Sequence, residues 1–330
     1  MEYLFPSFID QYIDELAKKG RKDSTIQRYM YDLNDFAYWL HKARSTTEYI
    51  NWKSITKDEL DLFFHVLSEE RKYNVRTIRR IHSVLKQVYQ YRKSLGQSEL
   101  SPIQEIIPPE LHSGPLQESE WVDQNEQRQL LSTLSSKNGL SEQQLEMFSF
   151  YKERNEFIVR LFLHYGLTLH EVQQLSMNDL RFERNEIHIQ EDNRIILLKE
   201  NDKQLAYTYF KAIPEPVRPR FYSQDPFFVS FDFKRKTFHW SYDDDEPKRM
   251  SPIAIQKMVR MEVKRAKLRK GISAQTLRNT FILTTLLHGE SSDELVQRIG
   301  YTTPLSMNRY KNTIDSITEK QKQRLLAGIL

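Results

Sequence analysis

The sequence predicts a mainly α-helical protein with a small β-sheet (α+β), built as two domains and a linker. Three observations carry this. Apolar residues recur at helical spacing through most of the chain. One central segment alternates β-formers around an Asp-Asn turn. A polar stretch containing Pro102, Pro108, Pro109, Gly114 and Pro115 interrupts both patterns. With 9 Gly and 12 Pro in 330 residues, the chain is too poor in turn formers for an all-β protein.

The first hundred residues read as four helices. Phe8, Ile9, Tyr12, Ile13 and Leu16 form the first apolar stripe, which Gly20 ends. Asp23 or Ser24 is expected to cap the second, whose apolar face is Ile26, Tyr29, Leu33, Phe36, Ala37 and Leu40. Thr56-Lys57-Asp58-Glu59 is a capping box opening the third, followed by Leu60, Phe63, Phe64 and Leu67. The fourth starts near Asn74, carries Ile78, Ile81, Leu85 and Val88, and ends at Gly96. The polar stretch at 97–119 then places a helical domain at 1–105, a linker at 106–119 and a second domain at 120–330.

The second domain is mixed. Helices are expected at 122–134, 143–165 and 168–176. Glu186–Gln190 and Arg194–Leu198 form a hairpin, and 201–212 returns to helix. Residues 214–251 are irregular, with Phe227, Phe228, Phe231 and Phe233 as a candidate strand and an acidic run at 243–246 expected to be a solvated loop. Helices resume at 252–268, 275–288, 291–299 and 303–311, and an amphipathic helix covers about 316–328.

Composition bounds the function. Cysteine is absent, which excludes disulfides, thiol catalysis and thiolate metal sites. The His residues, among them His164, His170, His188 and His239, form no ligand spacing, so no metal or other cofactor is expected. No apolar run reaches a membrane span and no signal peptide is visible, which points to a soluble protein of the cytoplasm. A net charge of +4 permits a phosphate-rich partner without requiring one.

The basic residues are not spread evenly. Lys257, Arg260, Lys264, Arg265, Lys267, Arg269 and Lys270 crowd one helix against a single acid, Glu262. Arg76, Arg79, Arg80 and Lys86 lie opposite the apolar stripe of the fourth helix. Either set reads as a solvated face or as a contact to double-stranded DNA.

Residues 1–105 resemble the helical, SAM-like core-binding domain of the tyrosine recombinases, or phage integrases. The resemblance lies in the helix spacing, in DSTIQRYMYDLNDFAYWL (23–40), in NVRTIRRIHSVLKQVYQY (74–91), and in Ser101-Pro102 where the family has Asn-Pro. Residues 120–330 resemble the family's catalytic domain through RNEFIVRLFLHYGLTLHEVQQLSMNDL (154–180) and SAQTLRNTFILTTLLHGESSDELVQRIGYTTPLSMNRY (273–310). The resemblance implies a tyrosine that attacks a DNA phosphodiester, two arginines that clamp its oxygens, a lysine as general acid, and two His or His/Trp groups.

Position by position, this chain departs from that set. Thr168 follows Gly166-Leu167 where the family has Arg, and Gln190-Glu191-Asp192-Asn193 is acidic where the family brings a Lys. Gln275 and Asn279 stand at the two His-type positions flanking Arg278, and Tyr301 stands at the His/Trp position. Arg278 and Tyr310 keep the family's residue types. The expectation is a DNA-binding protein that has lost cleavage and regulates transcription. It resembles the recombinase-fold master repressors of large temperate Bacillus phages, which would place it at the nucleoid of a bacterial host. Arg278 then positions a phosphate or forms a structural salt bridge, and Tyr310 packs. Basic faces on both domains suggest a clamp around the duplex. The alternative is an active recombinase in which Arg181, Arg194 or Lys199 replaces the missing donors; an accessory subunit is a third reading. Ile317, Leu325, Leu326 and Ile329 give the terminal helix an apolar face, for a second copy of the chain or for its own domain.

Overall fold

The computed structural model describes residues 7–45, 52–96, 102–110, 114–301 and 304–326. The chain divides into two compact units, Met1–His112 and Ser113–Leu330. The expected linker is shared between them. Ile103 and Ile106 are buried in the first unit's core, and Leu116 in the second's. Residues 97–101, including Ser101, and 111–113 lie outside the described residues.

The first unit holds α1 (Ser7–Lys18), α2 (Asp23–Ala43), α3 (Lys57–His65) and α4 (Val75–Ser94). The capping box is made: Glu59 N–H donates to Thr56 Oγ1, and Thr56 N–H donates to Glu59 Oε2 at 2.9 Å. Asn74 caps α4 by accepting from Thr77 N–H at 2.9 Å. The expected cap of α2 differs. Lys22 occupies the cap position, and a lysine has no side-chain acceptor to offer. Asp23 lies instead in the first turn, where its charge meets the positive end of the helix dipole. Leu33, Phe36, Leu40, Phe63, Leu85 and Val88 form the core.

The second unit begins with α5 (Gln124–Ser135), α6 (Glu142–Glu146), α7 (Phe148–Tyr165) and α8 (Leu169–Gln174). The single helix expected at 143–165 is therefore broken at Met147, whose side chain is buried with Phe148 and Tyr151. An antiparallel sheet follows, ordered β1 (Leu180–Arg181), β2 (Glu186–Ile189), β3 (Arg194–Leu197). His188 pairs with Ile195, and Asn193 takes the left-handed backbone that the hairpin turn needs (φ 56°). Then come α9 (Glu200–Ala212) and two short ribbons, β4 (Phe231–Asp232) with β5 (Thr237–Phe238), and β6 (Trp240–Ser241) with β7 (Glu246–Pro247). Phe227 and Phe228 precede β4 and are core residues rather than one strand with Phe231 and Phe233.

The chain ends in α10 (Pro252–Arg265), α11 (Ala274–Leu287), α12 (Ser292–Ile299), α13 (Asn308–Ser316) and α14 (Glu319–Leu326). The helix expected at 303–311 starts later, at Asn308, because Pro304–Met307 closes as a tighter 3-10 turn that buries Met307. Residues 302–303 and 327–330, with Ile329, lie outside the described residues. Leu325 of α14 is buried against its own unit, packed in one cluster with Phe281 and Leu283 of α11. No helix among the described residues is long and apolar enough to cross a membrane.

Helix α11 positions the site. It is buried on nearly every side, yet Thr276, Arg278, Asn279 and Thr280 are polar. Each must therefore find an internal partner or carry a desolvation cost of roughly 1–3 kcal/mol.

Candidate functional site

Those partners assemble around Asn279. Its side-chain oxygen accepts from Gln275 Nε2 at 2.8 Å and from the Tyr310 hydroxyl at 2.9 Å. Its amide nitrogen donates to the Glu120 carbonyl at 2.8 Å. The hydroxyls of Tyr301 and Tyr310 stand 3.4 Å apart, and Arg278 Nη1 reaches the Tyr301 hydroxyl at 3.3 Å. The positions singled out as Gln275, Arg278, Asn279, Tyr301 and Tyr310 are thus one hydrogen-bonded network, although they span 35 positions of sequence.

Arg278 is 4% exposed. Its guanidinium donates to the carbonyls of Gly166 (2.6 Å) and Ile299 (2.9 Å), and lies 4.7 Å from the centre of the Tyr301 ring. Among the described residues no carboxylate pairs with it, so it is not the structural salt bridge considered above. It staples three segments instead: the end of α7, the end of α12 and Tyr301. Tyr310 is 5% exposed, and burial, then Tyr301, pushes its phenol far above the ordinary tyrosine range. The neutral phenol is strongly favoured.

Thr168 has a local task. Its Oγ1 accepts from Glu171 N–H at 3.1 Å, and Glu171 Oε2 accepts from Thr168 N–H at 2.6 Å, a capping box that starts α8. The signal was present in the sequence as Thr-Leu-His-Glu (168–171). Glu171 also pairs with Arg194, which binds Asp192 (2.6 Å) and donates to the Arg298 carbonyl (2.8 Å). The acidic hairpin turn is thereby tied to α8 and to the end of α12. Gly300 follows at φ 70°, and a Cβ there would sit 2.2 Å from Asp192 Oδ2. Arg181 donates to the Asn178 carbonyl at 2.7 Å, and Lys199 is exposed at the start of α9. Thr168, Gln275 and Arg278 share a pocket of about 330 Å³ with Arg260 and Ser273.

The basic residues divide into two kinds. Lys257, Arg260 and Lys264 are exposed on α10 at spacings of three and four; the helix expected to run to 268 ends at Arg265, so Lys267, with φ 53°, is exposed beyond it, and none of the four pairs with a carboxylate of the described residues. Their presumed counterweight, Glu262, is buried and bound to Arg265. Arg269, expected on the same stripe, turns inward to Glu126 (2.8 Å) and to the carbonyls of Ser119 (2.8 Å) and Trp121. In the first unit, Arg76 and Lys86 are exposed. Arg79 donates to the Pro109 carbonyl at 2.9 Å, and Arg80 makes a two-pronged pair with Asp32 of α2 at 2.8 and 2.9 Å. Of the acidic run, 243–245 form the exposed turn of the β6–β7 ribbon, and Glu246 is half-buried in β7.

Comparison with known proteins agrees with this architecture. Residues 8–97 match the family described as phage integrase, N-terminal SAM-like domain. The chain is 24% identical to the tyrosine recombinase XerC of Caldanaerobacter subterraneus subsp. tengcongensis, over 94% of this chain and 84% of that one. Among solved structures, the XerH site-specific recombinase bound to its difH substrate superposes with a TM-score of 0.62 at 17% identity, covering 96% of this chain and 83% of that one. A lambda integrase dimer bound to a core site superposes with a TM-score of 0.61 at 12% identity, covering 95% and 97%. A SAM-like N-terminal domain followed by a tyrosine-recombinase-type domain is therefore the fold of this chain.

Proposed function

We propose that this protein binds double-stranded DNA sequence-specifically on a tyrosine-recombinase scaffold, does not cut it, and represses transcription of phage or prophage genes. The observation that carries the reading is the bond from Tyr310 to Asn279. A tyrosine nucleophile must release its proton to a base and attack a phosphate whose charge is clamped by cationic donors. Here the phenol is buried, its acceptor is the neutral amide of Asn279, and that acceptor is shared with a second neutral amide, Gln275. Arg278 faces backbone carbonyls, and Thr168 caps a helix. Losing one such donor costs ~10²–10³ in rate, and here several are absent together.

The exposed stripe on α10 supports phosphate contact, with Arg76 and Lys86 as further candidates on the first unit. Of the relatives named above, two are recombinases by their own descriptions, XerH bound to its difH substrate, and the lambda integrase is a dimer on a core site. A repressor gains nothing from nicking its operator. It would work on host DNA, at the nucleoid. Pairing through α14 would have to undock Leu325 first.

The test has two arms. A suicide substrate should yield no covalent protein–DNA adduct; an adduct lost in Tyr310→Phe would return the protein to the recombinases and sink the non-cutting reading. Selection of genomic fragments by purified protein should enrich discrete sites, and failure to prefer any fragment over bulk DNA would overturn the regulator reading.

A further inference from the structure

Away from Tyr310, α10 forms one wall of a second cavity, of about 430 Å³, lined besides by α6, α7 and the β4 segment and open to solvent at Lys257 and Met261. That size is ordinary for small-molecule sites. Its apolar lining comes from Tyr151, Phe231, Phe233, Met250, Met258 and Met261. Thioethers are unbranched and adapt to irregular shapes. One buried charged side chain among the lining residues makes no ion pair with a carboxylate of the described residues, although the Glu262 charge acts on it from a distance. Arg154 is 3% exposed, and its hydrogen bonds go to neutral oxygens, the Val229 carbonyl at 3.2 Å and the Asn155 side chain at 3.1 and 3.3 Å. Glu262, across the cavity on α10, gives its carboxylate to Arg265 at 2.8 Å and to Asn155 Nδ2 at 3.1 Å. A guanidinium has five N–H donors in a fork that fits a carboxylate, and these bonds leave part of the fork unused. A buried cation without its anion is costly, and an incoming anion removes that cost.

We infer that this cavity is a binding site for a small carboxylate on an apolar body, its anionic head on Arg154 and its body against Phe233, Met258 and Met261. Lys257, exposed at the cavity and also on the basic stripe, adds positive potential for entry. The site is independent of whether the protein cuts DNA.

The test uses the full chain with its methionine methyls isotopically labelled, read by NMR. Octanoate and naphthoate are the probes, and octanol and naphthylmethanol their uncharged counterparts. Saturable shifts at Met250, Met258 and Met261 are expected for at least one acid and not for its alcohol at the same concentration. Arg154→Met should weaken binding by about tenfold to a hundredfold, the worth of a charge-assisted hydrogen-bonded pair. Ala254→Trp, which keeps Arg154 and fills the cavity from α10, should abolish the shifts. No shift at these methyls with either acid, equal shifts with the alcohols, or unchanged binding in Ala254→Trp overturns the inference. The wild-type spectra decide the matter even if Arg154→Met fails to fold.

Discussion

The Tyr310 hydroxyl and the Gln275 amide converge on a single oxygen of Asn279, at 2.9 and 2.8 Å. That oxygen organises the interior between α11 and α13. Asn279→Leu would take the shorter bond from the buried phenol, leaving it only Tyr301 at 3.4 Å, and would strand the Glu120 carbonyl at once. We expect a loss of about 2–4 kcal/mol, from unsatisfied groups at roughly 1–3 kcal/mol each. Tyr310→Phe removes only its own hydroxyl and should cost about 1 kcal/mol. Urea denaturation measures both, and equal costs would show that Asn279 is not the hub.

Gly166 and Gly20 have similar backbones, φ 68° and 74°, and opposite surroundings. A Cβ at Gly166 would stand 2.4 Å from the Phe281 ring, whereas at Gly20 nothing lies within 4 Å. Gly20→Ala should cost about 1 kcal/mol, the left-handed penalty. Gly166→Ala adds a clash inside the core and disturbs the carbonyl that Arg278 holds, so a loss of 3 kcal/mol or more is expected. Thermal melts of the two variants compare them directly.

The α10 stripe and Arg269 should separate cleanly. Arg260→Ala and Lys264→Ala should leave the melting temperature unchanged within about a degree and weaken DNA binding. If each contacts a phosphate, the slope of log affinity against log salt falls by about 0.9 per residue. Arg269→Ala should do the reverse, lowering stability by about 2–3 kcal/mol because Glu126 loses a half-buried partner. A salt slope unchanged in both stripe variants would remove α10 from the DNA contact.

His82 supplies a pH prediction. It is buried, its Nε2 lies 3.0 Å from the Ile106 carbonyl, and burial holds its pKa below the ordinary histidine range. The folded form therefore binds fewer protons than the unfolded form at mildly acidic pH. Its stabilising contribution is complete above about pH 6.5 and declines as pH falls through and below that value. His82→Gln should flatten this part of the stability profile relative to wild type between pH 7 and 5. Parallel profiles would exclude His82 as a source of acid sensitivity.

Much of the fold was legible because its signals are local. The stripe from Leu33 to Leu40, the box Thr56–Glu59 and the Asp-Asn turn before Arg194 each act within a few residues. The misplacements have local causes too: a buried Met147 that splits a helix, and a 3-10 turn at Pro304–Met307 that delays one. Of the site, residue identities were legible and their duties were not. Arg76, Arg79 and Arg80 look alike in sequence, yet Asp32, 48 positions away, engages one of them and the Pro109 carbonyl another.

By itself the sequence determined that Thr168, Gln275, Asn279 and Tyr301 carry no permanent charge, and so what chemistry they could never supply. Tertiary structure alone decided that Gln275, Asn279, Tyr301 and Tyr310 form one hydrogen-bonded network while Thr168 caps a helix, that Arg278 holds carbonyls, and that Arg154 lines a cavity with no ion pair among the described residues. The reason is range. Charge and hydrogen-bonding capacity belong to a side chain, whereas burial, and hence the cost of leaving that capacity unused, depends on segments that meet only when the chain is folded.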